Sequence, residues 1–177
     1  MPTPVVYLLE DVHQYRNGLR LYTVRREGAG LSEYADFAAR LDALADADPG
    51  VDEELGRFWA ALERIDARRI PLQRADLLRP ERAARALPPQ RRALIRLGQD
   101  PDIRVRLYCY PLGDRTLILF NGDRKTDGVD LAEDCPRVSP HFHHAIRLTH
   151  ALDEANIGRA FDPVTGIITL DPPEVWC

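Results

Sequence analysis

A strict alternation of apolar and polar residues between positions 103 and 110 constrains the fold of this chain more than any other feature. The odd-numbered residues are apolar, and the even-numbered residues are arginines and tyrosines. Because successive side chains of a strand point to opposite faces of a sheet, the pattern predicts a strand with one buried face. The run 115–121, whose middle is apolar on both faces, predicts an interior strand paired with the first.

Two amphipathic helices are predicted before this hairpin. Apolar residues recur at three- and four-residue spacing over 32–45, with Ser32 as N-cap, and again over 52–68. The turn Asp48-Pro49-Gly50 separates the two segments, so they predict an antiparallel helical hairpin that covers its apolar face with the sheet.

The remaining predicted elements lie toward the two ends of the chain. Strands are predicted at 5–10 and 19–25, joined by a turn at Asn17-Gly18. A helix with Ser139 as N-cap is predicted to run to about Asn156. The tail, Ala160 to Leu170, predicts a final hairpin.

Segment 70–100 is rich in arginine and proline and predicts a connection rather than part of the sheet. Short helical patterns occur within it at 81–87 and 90–97. Together the elements predict an α+β fold in a single domain over 1–177, with an antiparallel sheet, an N-terminal helical hairpin and a C-terminal helix packed on it.

Composition indicates an ordinary globular protein of the cytoplasm. We expect no membrane partner, because no apolar run approaches the roughly 18 residues that span a bilayer, and no secretory signal, because no basic stretch precedes the first apolar run. The irregular spacing of Cys109, Cys135 and Cys177 does not suggest a disulfide framework, which favours a reducing compartment.

Charge is strongly segregated along the chain. Residues 68–125 hold fourteen basic and six acidic residues, a net of +8, so the remainder carries −4 − 8 = −12. A basic face of this kind attracts phosphate even within an acidic protein. The chain has 23 arginines and one lysine, Lys125.

The polar face of the 103–110 strand carries the candidate chemistry. It bears Arg104, Arg106, Tyr108 and Tyr110, spaced by about 6.6–7 Å at strand geometry. Guanidinium groups bind phosphates bidentately, and aromatic rings stack on bases, so this surface suits single-stranded RNA. A solvated sheet face whose arginines pair with nearby acids remains the alternative.

The residues from Ile103 to Thr126 resemble the RelE/HigB branch of the RelE/ParE toxin superfamily. Val105-Arg106-Leu107-Tyr108, a hairpin and then Ile118 to Thr126, which contains Asn121-Gly122-Asp123-Arg124-Lys125, look like that branch's arginine strand and its apolar strand ending in Lys-Thr. The resemblance implies a toxin paired with a cognate antitoxin that cleaves mRNA on the ribosome by attack of the RNA 2′-hydroxyl, with no metal and no cofactor.

The same resemblance implies roles for individual residues. Arg106 would be the strand arginine at the phosphate, and Lys125, with Arg124, would be the basic group after the last core strand. Tyr108 would stack on a base or assist proton transfer. From the chemistry of the strand face itself, Arg104, Tyr110 and Arg115 are expected to bind RNA. The oligomeric state is not readable from the sequence.

The chain also departs from that family. Toxins of this branch are basic and about 90–120 residues long, with a C-terminal Tyr or His at the site, whereas this chain is acidic and ends in Glu174-Val175-Trp176-Cys177. A non-catalytic relative, either a gyrase inhibitor or a detoxified protein that only binds an antitoxin, therefore stays open as the second interpretation.

Two metal-site readings are disfavoured by spacing. His141, His143 and His144 follow Cys135 but lack the paired-ligand spacing of structural zinc sites. The acidic residues of 123–134 are typical of a solvated loop.

Overall fold

The described part of the chain alternates strands and helices throughout. The computed structural model describes residues 5–74, 76–169 and 174–177. Within these ranges the elements are β1 (Val6–Gln14), β2 (Arg20–Arg26), α1 (Glu33–Ala47), α2 (Pro49–Ala67), β3 (Arg79–Glu81), β4 (Ala84–Leu87), α3 (Arg91–Arg96), β5 (Val105–Leu112), β6 (Thr116–Arg124), α4 (Ser139–Glu154), α5 (Ile157–Ala160) and β7 (Glu174–Trp176).

The strands of the described residues form one mixed sheet in the order β3-β4-β5-β6-β2-β1-β7. β6 pairs antiparallel with β5 and parallel with β2. A parallel pair needs a long crossover connection, and α1 and α2 form part of the one between β2 and β6. The predicted antiparallel sheet with an N-terminal helical hairpin is therefore wrong, because two strands precede the helices and the sheet is mixed.

Both faces of the sheet are covered. On one face, Phe37 of α1 and Phe58 of α2 belong to the same core as Leu107 and Leu119. On the other face, Tyr108, Phe120 and residues of α4 such as Phe142 and Leu148 form a second core. This two-sided burial accounts for the apolar run of β6, as expected for an interior strand.

Segment 70–100 contributes to the sheet, contrary to the predicted connection. The helical pattern at 81–87 is wrong, since Ala84–Leu87 pairs with β5 and Arg82 takes a left-handed turn conformation (φ 56°) between β3 and β4. Pairing with a neighbouring strand outweighed the weak local helix preference here. The helical pattern at 90–97 is confirmed by α3.

Smaller differences occur at the predicted element ends. Ser32 caps α1 as predicted, and its hydroxyl accepts a hydrogen bond from the Ala35 N–H at 3.1 Å. Val138, rather than Ser139, occupies the N-cap of α4, which ends at Glu154. The predicted tail hairpin is reduced to one bridge between Phe161 and Ile168, and Leu170 lies outside the described residues.

The outermost strands of the sheet are short. Within the described ranges, β3 and β7 each span three residues, and β7 pairs with Val6–Leu8 of the longer β1. Pro80, at the middle of β3, has no N–H to donate to another strand. Among the described residues, none of the helices has the length and apolar character that a bilayer crossing requires.

Two buried carboxylates of α2 anchor the helix layer to the strands. Asp66 accepts hydrogen bonds from the N–H groups of Asn17 and Leu19, each at 2.9 Å, and from Arg115 Nη2 at 2.6 Å. Glu54 accepts bonds from the N–H groups at the start of β5 and from Arg124 Nε at 2.7 Å. Burial alone would raise the pKa of Asp66, but these donors hold it below its usual value.

Gly122 allows β5 and β6 to approach closely. A β-carbon at this position would lie 1.8 Å from the backbone oxygen of Arg106. The pairing register shifts between Leu107 and Cys109, so the strands are irregular at this point. Only a residue without a side chain fits between the two backbones.

We predict that Asp66→Ala lowers the free energy of unfolding by about 3–5 kcal/mol, because it leaves Arg115 and two backbone N–H groups without their acceptor. Urea denaturation measures the change. The matched control is Asp46→Ala, at an exposed position of α1, for which we expect a change within about 0.5 kcal/mol. Equal effects of the two substitutions would contradict the anchoring role.

The contribution of Asp66 should also depend on pH. Its pKa is lower in the folded protein than in the unfolded chain, so its stabilisation is fully present above about pH 4 and is lost as the pH falls through the folded value. The difference in unfolding free energy between wild type and Asp66→Ala should therefore shrink as the pH is lowered below about 4. A difference that stays constant or grows on acidification would contradict this.

Candidate functional site

Two of the predicted site residues lie beneath the surface on the α4 side of the sheet. Tyr108 is 0% exposed and belongs to the core that α4 covers, and Arg106 of the same strand is 8% exposed. The expectation of an open arginine face is therefore wrong for this part of β5. The alternation of apolar and polar residues indicates which residues share a face of the sheet. It does not indicate that a helix and a hairpin cover that face.

Glu81 of β3 connects the two side chains. Its Oε2 atom accepts a hydrogen bond from the Tyr108 hydroxyl at 2.7 Å, and its Oε1 atom lies 3.6 Å from Arg106 Nε. The pairing of β4 with β5, in which Ala86 lies opposite Tyr108, brings β3 and its carboxylate within reach. Arg106 also donates from Nη1 to the backbone oxygens of Ile103 and Val105.

Lys125 and Arg79 complete a group of three cations. Lys125 is 9% exposed, and its ammonium donates to the backbone oxygen of Asp130. Burial, followed by the positive charge of Arg79, lowers the pKa of Arg106 to about 10. Burial and then the charge of Arg106 lower the pKa of Lys125. We call Arg79, Arg106 and Lys125, with Glu81 among them, the basic cluster.

The basic cluster leaves hydrogen-bond donors unused. Within the described part of the chain, neither Nε of Arg79 nor Nε of Arg106 has a hydrogen-bond partner, although both atoms are buried. Buried polar groups are normally paired, and an unpaired donor costs free energy. For Arg106 the ion pair with Glu81 at 3.6 Å offsets part of this cost.

A pocket of about 290 Å³ lies beside the basic cluster. The β3–β4 hairpin forms one wall and the loop after β6 forms another, and an ion pair of 2.7 Å between Arg82 and Glu133 joins the two. Phe142 of α4 adds an aromatic surface. The lining residues are Arg79, Pro80, Glu81, Arg82, Asp130, Leu131, Ala132, Glu133 and Phe142.

A cysteine also lies close to this region. Burial alone would raise the pKa of Cys135, but hydrogen bonds from the backbone and hydroxyl of Thr126 and from the N–H groups of Val138 and Arg137 lower it. The distance from Thr126 Oγ1 to Cys135 Sγ is 3.6 Å. Cys135 is fully buried, and Cys109 and Cys177 are also free thiols.

The other predicted site residues lie apart from the basic cluster, and each binds a carboxylate. Arg124 turns toward α2 and pairs with Glu54 at 2.7 Å, on the opposite side of the sheet from Tyr108. The remaining pairs are Arg104 with Asp127, Arg115 with Asp66 at 2.6 Å, and Tyr110 with Asp153 at 2.6 Å. The structure thus brings together Arg106, Tyr108 and Lys125 and separates the rest.

Sequence reasoning missed Arg79 and Glu81 because it treated segment 70–100 as a connection. The small alternating run Ala84-Arg85-Ala86-Leu87 is the one signal that could have indicated a strand there. A strand at 84–87 would have implied that the residues just before it form the other half of a hairpin, which places Glu81 in the sheet.

The histidines of α4 take part in separate contacts. His144 Nε2 lies 3.2 Å from the Tyr7 hydroxyl and 3.1 Å from Glu33 Oε1. Burial, followed by the charge of Arg40, lowers the pKa of His141. Among the described residues, no group of three or more His, Cys, Asp or Glu side chains is arranged to hold a metal ion.

Comparison of the chain with protein-family models, with curated proteins and with solved structures found no match.

We predict that Tyr108→Phe lowers the free energy of unfolding by about 1.5–3 kcal/mol, because it removes a buried hydrogen bond to a carboxylate. Tyr110→Phe is the matched control, since its bond to Asp153 lies at the surface and should contribute less than about 1 kcal/mol. Urea denaturation of both variants makes the comparison. A cost for Tyr110→Phe equal to or above that for Tyr108→Phe would contradict the larger stabilisation expected of the buried bond.

Proposed function

We propose that this protein is the toxin of a type II toxin–antitoxin pair and acts as an endoribonuclease that cleaves mRNA by attack of the RNA 2′-hydroxyl. The observation that carries the proposal is the position of Glu81, which lines the pocket together with Arg79 and lies 3.6 Å from Arg106 Nε. Arg106 and Lys125 lie behind the pocket lining, near enough for the charge of Arg106 to lower the pKa of Lys125. In the resemblance to RelE/HigB toxins, Arg106 is the strand arginine at the phosphate and Lys125 is the basic residue after the last core strand.

The chemistry of this reaction has three requirements. A base must accept the 2′-hydroxyl proton, cations must stabilise the phosphorane, and an acid must protonate the leaving 5′-oxygen. Glu81 lines the pocket and is the carboxylate in position to be the base. Arg79 and Arg106 supply fixed positive charge.

Lys125 is suited to the role of acid. Burial and the neighbouring Arg106 lower its pKa, which makes its proton easier to transfer than that of an exposed lysine. Tyr108 acts through Glu81 rather than on the RNA, because it is fully buried and its hydroxyl is bonded to that carboxylate. Tyr108 is therefore a positioning residue in this proposal.

The biological setting of the proposal rests on the resemblance of Ile103–Thr126 to these toxins. In this setting the protein acts in the cytoplasm, its substrate is mRNA on the ribosome, and a cognate antitoxin neutralises it. Access to the cluster is restricted, since Arg106 is 8% exposed and the pocket measures about 290 Å³. A single nucleotide of the RNA would therefore enter the pocket.

A second candidate is a non-catalytic protein of the same type that inhibits gyrase or only binds an antitoxin. The pairing of Arg104, Arg115 and Arg124 with carboxylates favours it, because these arginines are then engaged within the protein instead of with RNA. The two candidates differ in one measurable property, RNA cleavage.

We predict that induced expression of the wild-type protein in a bacterial host arrests growth and produces codon-phased cuts, mapped by primer extension on host transcripts.

Glu81→Gln should reduce cleavage by about 100-fold or more, as expected for loss of a general base. The double variant Arg106→Gln/Lys125→Met should abolish it. Arg91→Gln, at an exposed position of α3, is the control and should cleave as the wild type does.

A second experiment does not depend on the folding of any variant. Purified wild-type protein is incubated with ribosomes and an mRNA that carries one 2′-deoxynucleotide at a mapped cut site. Cleavage should be lost at that site alone, and cutting there would exclude 2′-hydroxyl attack.

In the expressing cells, growth arrest with DNA supercoiling defects and uncut transcripts would overturn the nuclease proposal in favour of gyrase inhibition.

A further inference from the structure

Arginine side chains line two adjoining depressions beside helix α3, which share no lining residue with the pocket at the basic cluster. Arg68, Arg74 and Arg96 line the first depression, and Arg92 and Arg96 line the second. Among the described residues that line either depression, Asp76 is the one carboxylate. The two linings together therefore carry four positive charges and one negative charge. We call Arg68, Arg74, Arg92 and Arg96 the arginine patch.

The charge of the arginine patch faces the solvent. All four arginines are exposed. Asp76 forms an ion pair with Arg96, so it is engaged with one of the four. Within the described part of the chain, the side chains of Arg74 and Arg92 form neither an ion pair nor a hydrogen bond. A ligand could therefore bind these two guanidinium groups without breaking a contact within the protein.

The carboxyl end of α3 does not offset this charge. The last carbonyl groups of a helix carry a partial negative charge. Here Arg68 Nη1 donates to the backbone oxygen of Arg96 at 3.0 Å, and Arg64 Nη1 donates to the backbone oxygens of Leu97 and Gly98. The same bonds join the end of α2 to the end of α3, so Arg68 and Arg96 have fixed positions next to each other.

We propose that the arginine patch binds the phosphate backbone of a nucleic-acid double helix. Guanidinium groups are permanently charged and bind phosphates bidentately. Residues four apart on a helix lie about 5–6 Å apart on one face, so Arg92 and Arg96 project from the same side of α3. Because the whole chain carries a net charge of −4, a polyanion needs a local basic surface of this kind to approach. This surface lies outside the proposed cleavage site and does not rest on it.

The residues of the two depressions favour a double helix over a single strand. Proteins hold single-stranded nucleic acid largely through aromatic rings that stack on its bases. None of the described lining residues of either depression is aromatic. A double helix keeps its bases stacked inside and presents its phosphates outward. Contacts with phosphates carry no sequence information directly, so duplexes of different sequence should bind equally.

The same residues disfavour a protein as the partner. The centre of a protein–protein interface is depleted of charged residues. Three of the four residues that line the second depression are charged, and Ile95 is the fourth. Leu77 and Leu97 of the first depression are buried and offer little apolar surface to a partner. Interfaces with nucleic acid are more positively charged than those between proteins, which agrees with this composition.

The test is fluorescence anisotropy of the full chain with labelled duplexes of about 16 base pairs, at salt concentrations from 50 to 200 mM. Two unrelated sequences are used, each as RNA and as DNA. Four phosphate contacts predict a slope of log K against log salt of about −3 to −4. A slope shallower than about −1, or a tenfold preference between the two sequences, would overturn the inference. Tighter binding of RNA would assign the patch to RNA, and equal or tighter binding of DNA would assign it to double helices in general.

Variants provide the second arm of the experiment. Arg74→Gln/Arg92→Gln should reduce the magnitude of the slope by about two, with equal loss of affinity for both sequences. Arg26→Gln/Arg159→Gln removes the same charge from exposed positions of β2 and α5 and should leave the slope unchanged. Equal effects of the two double variants would show that net charge alone matters and would overturn the inference. Tighter binding of poly-aspartate than of duplex by the wild type would overturn it in favour of a protein partner, whether or not the variants fold.

This inference and the proposed function can fail separately. The DNA duplex has no 2′-hydroxyl, so its binding is measured independently of cleavage. Duplex binding without RNA cleavage would leave this inference standing and overturn the proposed function. RNA cleavage without duplex binding would do the reverse.

Discussion

The close pairing of β5 with β6 determines where the side chains of the candidate site lie. Apolar side chains cover both faces of β6, and Gly122 lets the backbone of β5 approach without a side chain between the strands. This contact fixes Arg106 relative to Lys125, which follows β6. The hairpin of β3 and β4 then pairs with the free edge of β5 and adds Arg79 and Glu81. A displacement of this strand pair would separate the three cations.

The charge segregation of the sequence has a structural explanation. Part of the positive charge of residues 68–125 is balanced by carboxylates outside that range, as Asp66 and Glu54 of α2 balance Arg115 and Arg124. The net −12 of the remainder is therefore partly a structural complement of the basic segment. Arg115 and Arg124 hold strand β6 and its start to helix α2, whereas Arg82 and Arg104 pair with carboxylates of the loop after β6.

Much of the central architecture could be predicted from local patterns. The alternation of 103–110, the apolar run of 115–121 and the Ser32 cap all correspond to observed elements. The mixed sheet could not be predicted, because the parallel pairing of β2 with β6 depends on contacts between distant residues. For the same reason the predicted site was incomplete. Glu81 is brought to Arg106 by two successive strand pairings, β3 with β4 and β4 with β5, which no local pattern in the sequence indicates.

The two edges of the sheet differ in what they offer to another protein. At one edge, Pro80 in the middle of β3 has no N–H to donate to an added strand. At the other edge, β7 pairs with Val6–Leu8 alone, so among the described residues the stretch 9–14 of β1 has a strand on one side only. A protein that lengthens this sheet would therefore add its strand along 9–14 of β1 and not at β3.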